Sequence, residues 1–197
     1  MQKSTFLDPL FNFFENLHPV PDNLKLDYLL QCSVIEIKKN KFIISPIDQN
    51  ESLFFIISGC VRGFVKDRSK DITTRFAFEG ELIGAIRHPD GIEIHSKEYL
   101  QALEDCTLIR IPYSVIELAY NKYPEAHIVG RKIFSLHYYM ASERAILARI
   151  PMAADRYETF VQSGASQMDR VPLRCLASYL GMRMETLSRI RAAEQVK

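Results

Sequence analysis

The sequence predicts an α+β protein: a run of short strands, then a long helix, then a small helical C-terminal domain. Three observations carry this. Between Ser33 and Pro112, short segments rich in branched and aromatic residues alternate with turn signals. After Pro124, about 27 residues run without proline. From Arg170 to Ala192 the stretch RVPLRCLASYLGMRMETLSRIRA has apolar positions at helical spacing, with one glycine at its centre.

The elements follow in order. Residues 1–31 mix helical patterns with polar turns, and DNLKLDYLLQC reads as a short amphipathic helix after Pro19 and Pro21. SVIEIKK, KFIIS, SLFFIIS, CVRGFVK, DITTRFAFE, SKEYLQAL and CTLIRIP read as strands, and strands at this spacing describe a sandwich or barrel. Turns fall at Lys39-Asn40, Pro46-Ile47-Asp48, Ser58-Gly59, Lys66-Asp67 and Glu79-Gly80. ISGCVRG has the pattern of a tight hairpin, with Gly59 free to take positive φ. YSVIELAYNKY is a short helix that stops before Pro124. The segment 124–150 then predicts one helix of about 38 Å, with Gly130 as its one interior glycine. Such length suits a symmetric dimer seam that also connects two domains; packing on its own barrel is the alternative. AADRYETFVQSG is another short helix and SGASQMD a loop.

In the C-terminal stretch, Leu176 and Leu180 are four apart and share a face. Pro172 suits a first helical turn, Ala177 a close crossing, and Gly181 a sharp turn. Leu187 and Ile190 close the core from a second helix. This spacing predicts a helix-turn-helix whose second helix is narrow enough for a DNA major groove. An ordinary helical hairpin with solvated arginines is the alternative. The chain carries 25 basic and 24 acidic residues, so no global charge excess marks a nucleic acid partner. From Gln167 onward the count is 6 to 3, a local positive excess where the stretch lies.

Other chemistries find little support. Cys32, Cys60, Cys106 and Cys175 are scattered among apolar neighbours and read as buried thiols. Neither a nucleophile–base set, an HExxH motif nor a glycine-rich phosphate loop is present, so the chain is expected not to be an enzyme. No metal and no cofactor are expected. Without a signal segment or an apolar run of about 20 residues, the reading is a cytoplasmic protein with no membrane contact.

The stretch ASYLGMRMETLSRIR at 177–191 resembles the DNA-binding segment of the Crp/Fnr (cyclic-AMP receptor protein / fumarate-nitrate reductase regulator) family of bacterial transcriptional regulators. SLFFIISGCVRGFVKD, FAFEGELIGAI, ALEDCTLIRIP and AADRYETF resemble further family segments, in family order. The resemblance implies an N-terminal cyclic-nucleotide-binding-like double-stranded β-roll at 1–123. It implies a long connector and dimerisation helix at 124–150 and a helix-turn-helix domain at 151–197. It further implies a homodimer on double-stranded DNA with a palindromic operator, and RNA polymerase as a further partner. Arg170, Arg174, Arg183, Met184, Glu185, Thr186, Ser188, Arg189 and Arg191 are the expected DNA-binding residues. Five residues follow Ala192, so a full β-hairpin wing is not expected, and Arg170, Arg174 or Lys197 would supply phosphate contacts instead.

In cyclic-nucleotide-binding relatives a turn glutamate holds the ribose and an Arg-Ser or Arg-Thr pair holds the phosphate. The resemblance places the glutamate at Glu81, between Gly80 and Leu82, and the phosphate arginine at Ser96, followed by Lys97 and Glu98. Serine lacks the donor fork that a phosphate requires. The effector pocket is therefore expected to be degenerate and unresponsive to cyclic AMP, with any small-molecule effector of unknown identity. A small-molecule sensor that acts through protein contacts, without DNA, is the alternative function.

Overall fold

The computed structural model describes residues 5–47, 50–84, 97–163 and 167–194. The chain clusters into two compact units, residues 1–63 with 76–134, and residues 64–75 with 135–197. Its described elements are α1 (Asp8–Leu17), α2 (Asp22–Gln31), β1 (Ser33–Ile37), β2 (Phe42–Ile44), β3 (Ser52–Ser58), β4 (Val61–Asp67), β5 (Lys70–Ala77), β6 (Leu82–Ile83), β7 (Glu98–Ala102), β8 (Cys106–Pro112), α3 (Tyr113–Lys122), α4 (Pro124–Leu147), α5 (Ala153–Gln162), α6 (Leu173–Tyr179) and α7 (Met184–Glu194), with a 3-10 turn at Met168–Arg170.

The strands form two four-stranded sheets, ordered β1-β8-β3-β6 and β2-β7-β4-β5. This is the double-stranded roll of an α+β fold, with the helical region C-terminal to it. In the first sheet β8 lies between β1 and β3, both antiparallel to it, with Ser33 opposite Arg110 and Ser52 opposite Pro112. Side chains along a strand alternate between faces. Phe54 and Ile56 of β3 and Leu108 of β8 enter one core with Ile44, Val61, Leu100 and Ala102 of the second sheet. Phe55, Ile109 and Ile111, of the opposite parity, enter another core with Leu10, Phe14, Leu24, Tyr28, Val115 and Ala126 from the helices. Burial on both faces is why SLFFIIS reads as an unbroken apolar run and not as an alternating one.

ISGCVRG is not a hairpin. β3 belongs to the first sheet and β4 to the second, so the segment carries the chain between sheets. Gly59 does take positive φ, 112°, and its amide donates to Glu79 Oε1 at 2.7 Å. The Cys60 carbonyl accepts from the Leu103 amide at 2.8 Å. A positive φ can serve a crossing as well as a hairpin, so the glycine alone does not separate them. The hairpin lies one connection later: β4 and β5 are adjacent strands of one sheet, joined through Arg68 at φ 53°.

All four cysteines are buried and reduced. Burial pushes the Cys32 thiol up to about 12 and the Cys106 thiol up to about 11, so both are poor nucleophiles near neutral pH.

α4 is 24 residues long, about 36 Å, and ends at Leu147 rather than Ile150. It exposes Phe134 (68%), Leu136, Tyr138 (77%), Tyr139 and Ile146. Gly130 has a packing role. A Cβ there would run into the ring of Tyr120, which stacks on His127 with centroids 5.2 Å apart. Gly130→Ala gains ~1 kcal/mol of helix propensity. Displacing the ring costs about 1–3 kcal/mol, so the variant should melt lower than the parent. Adding Tyr120→Leu, which clears the ring, should shrink the loss attributable to Gly130→Ala in a thermal double-mutant cycle.

Candidate nucleic-acid interface

The second unit holds the helix pair anticipated from Arg170–Ala192. α6 ends in paired main-chain bonds: Met182 N–H donates to Ala177 C=O at 3.0 Å, and Gly181 N–H to Ser178 C=O at 3.2 Å. Gly181 lies at φ 62°, as this helix stop requires. A Cβ on Gly181 would meet nothing within 4 Å, so the glycine is demanded by backbone conformation and not by space. Leu176, Ala177, Leu180 and Leu187 are buried, as are Tyr157, Phe160, Val171 and Cys175. Phe160 and Tyr179 meet edge to face with centroids 5.8 Å apart. Ile190 is half-buried and closes the core less fully than its spacing implied. Pro172 is the N-cap, outside the first turn of α6 rather than within it.

Around the fully buried Leu187, α7 turns a polar face outward. Arg183 (in the turn before α7), Met184, Glu185, Ser188 and Arg189 are exposed; Thr186 and Arg191 are half-buried. Glu185 and Arg189 are four apart, hence neighbours on one face. Among the described residues no ion pair joins them, whereas Arg191 lies 3.9 Å from Asp169. Arg170 (in the 3-10 turn) and Arg174 (in the first turn of α6) are also exposed. Lys197 lies outside the described residues.

Arg156 organises this region and carries no sequence signal beyond its charge. From α5, its Nε donates to Leu180 C=O at 2.8 Å. One terminal nitrogen donates to Ile150 C=O at 2.6 Å and Pro151 C=O at 3.0 Å, and the other to Gly181 C=O at 3.3 Å. The planar guanidinium thus gathers four carbonyls, from the segment after α4 and from the turn after α6, a task for which lysine has the wrong shape. In the same unit, burial holds the His137 imidazole below its usual range, and the Arg75 and Arg144 charges add to the effect.

In the first unit, Gly80 (φ 82°) and Glu81 lie in the turn after β5, and Leu82 opens β6. Gly80 N–H donates to Ile56 C=O at 2.9 Å, and Glu81 C=O accepts from Ile56 N–H at 3.0 Å. Leu82 is buried in the helix-side core, so its side chain is committed to packing. Lys97 is exposed, and Ser96 lies outside the described residues. Among the described residues no group of three or more His, Cys, Asp or Glu is arranged to hold a metal. No described helix is long and apolar enough to cross a membrane.

Residues 34–123 match the sequence model of the cyclic nucleotide-binding domain. No curated protein matches the chain in sequence. Solved structures share its fold. FixK2 from Bradyrhizobium japonicum has 19% identity and a TM-score of 0.69, covering 84% of this chain and 85% of its own. A CooA variant from Carboxydothermus hydrogenoformans has 16% identity and a TM-score of 0.70, covering 98% and 85%. A Crp/Fnr-family regulator from Eubacterium rectale has 16% identity and a TM-score of 0.69, covering 94% and 88%.

Arg156→Lys keeps the charge and loses the fork. It should raise amide exchange in 153–194 by about tenfold or more while leaving β1, β3 and β8 unchanged. Equal protection in both proteins would show that the four carbonyls do not depend on Arg156.

Proposed function

We propose that this chain, which carries a Crp/Fnr-family cyclic nucleotide-binding-like regulatory domain and the fold of those regulators, is a homodimeric, sequence-specific DNA-binding transcriptional regulator that does not respond to cyclic AMP. Its working parts would be a roll at 1–123, a dimerising connector at 124–150 and a reading domain at 151–197. The observation that carries the reading is the outward polar face of α7, set on the buried Leu187. On that face Arg189 can fork onto guanine O6 and N7, and Glu185 can accept from cytosine N4. Arg170 and Arg174, off α7, suit phosphate contacts.

A palindromic operator requires two copies of α7 related by a two-fold axis. The exposed Phe134, Tyr138, Tyr139 and Ile146 on α4 supply apolar area for that pairing. Tyr139 and Ile146 are seven apart, the repeat of a two-helix seam. RNA polymerase and a small-molecule effector remain expected partners in this reading.

Titration of matched operator and single-base variants at several salt concentrations tests it. Arg189→Ala should lose ~1–3 kcal/mol on the matched half-site and relax discrimination at one base pair. Arg174→Ala should weaken all duplexes alike and reduce the salt slope by roughly one. Equal losses on every variant for Arg189→Ala would remove α7 from the reading role. Calorimetry with cyclic AMP should show binding no tighter than about millimolar; a micromolar constant would restore the nucleotide to the roll.

A further inference from the structure

The hydroxyl of Ser178 bonds twice to main chain that is distant in sequence. Its Oγ accepts from the Thr73 amide at 3.0 Å and donates to the Asp71 carbonyl at 3.0 Å. One hydroxyl has the proton and the lone pairs for both. Ser178 lies on α6, which packs beneath α7, and Asp71 and Thr73 lie on β5, all within one compact unit. Thr73 is only 4% exposed, so its amide is shielded from water and Ser178 supplies the partner that a buried N–H requires. A serine inside a helix commonly turns its hydroxyl back to its own helix's carbonyls; this one reaches off the helix.

The contact engages α6 and leaves the outward residues of α7, Glu185, Ser188 and Arg189, exposed. It therefore does not cover the reading face. β5 runs from Lys70 to Ala77 and passes directly into the turn at Phe78–Glu81, so the residues held by Ser178 are a few positions upstream of the candidate effector turn.

We propose that Ser178 is a positioning residue for DNA reading: its hydroxyl latches α6 to β5 and so fixes the direction in which α7 is presented. The role in DNA reading rests on the function proposed for α7; the latch itself does not. An isolated half-site needs only one α7. A palindromic operator needs two, held at one helical turn of spacing, about 34 Å. Loosening the latch should cost the operator and spare the half-site.

Ser178→Ala is the variant. Alanine is the best helix former, so α6 should persist without the hydroxyl. Spin labels at Lys70→Cys on β5 and Ala193→Cys on α7 report their separation, since both positions are exposed and the native cysteines are buried. Dilution with unlabelled protein isolates the distance within one chain. The parent should give one narrow distance and Ser178→Ala a broadened distribution. Exchange of the Thr73 amide should rise about tenfold or more, and affinity for the full operator should fall about tenfold with half-site affinity unchanged. Unaltered distances and Thr73 exchange would overturn the latch. Broadened distances with operator and half-site affected alike would overturn the positioning role. If the unsubstituted chain binds no duplex, the DNA reading of α7 fails, and the distance measurement alone decides whether Ser178 fixes α7 relative to β5.

Discussion

The arrangement of the second unit hangs on one guanidinium. Arg156 takes four carbonyls that the chain leaves over where helices end, Ile150 and Pro151 after α4 and Leu180 and Gly181 after α6. Carbonyls at helix ends lack intrahelical partners and gather partial negative charge, so a fixed cation with a planar array of donors suits them. The bonds constrain three segments at once, because the arginine itself sits on α5. The tight turn at Gly181 and the buried Leu187 then determine where α7 starts and which face it turns outward. The four bonds of Arg156 thereby tie the exit of α4, the helix α5 and the turn before α7 to one another.

The first unit is held differently, by alternation along strands. β3 and β8 each send one parity into the core between the sheets and the other into the helix-side core. A one-residue slip in either strand would exchange the two sets, so register is fixed from both sides. The turn after β5 is tied to β3 through the Ile56 peptide, which both donates and accepts there. Any ligand that engaged this turn would meet a backbone already committed to the sheet.

Much of this was legible in the sequence because it is periodic or conformationally forced. The strands β1 to β5, β7 and β8, the helices at 113–122 and 153–162, and the positive φ of Gly59 and Gly181 follow from local pattern, whereas the two-residue β6 is too short to show one. What local pattern could not carry is pairing. ISGCVRG has the composition of a hairpin, yet its flanking strands belong to different sheets, a fact set by partners far along the chain. Gly130 reads in the sequence only as the one glycine inside a long helix; that Tyr120 lies against it is set by the fold. Arg156 reads as one charge on a short amphipathic helix, and Ser178 as a small polar residue between Ala177 and Tyr179. Their roles come from contacts 24 and 105 residues distant. Of the candidate interface, the outward residues of α7 could be named from spacing, since a helix with a buried Leu187 has only one side left.

Arg156 and Ser178 share a property with an evolutionary consequence. Both bond to main chain, not to side chains. A main-chain acceptor survives almost any substitution at its own position, so Ile150, Leu180 or Asp71 can drift without breaking the contact. The arginine and the serine cannot drift in the same way. In related sequences such contacts would leave no covarying pairs. They would appear as invariant residues with no covarying partner side chain.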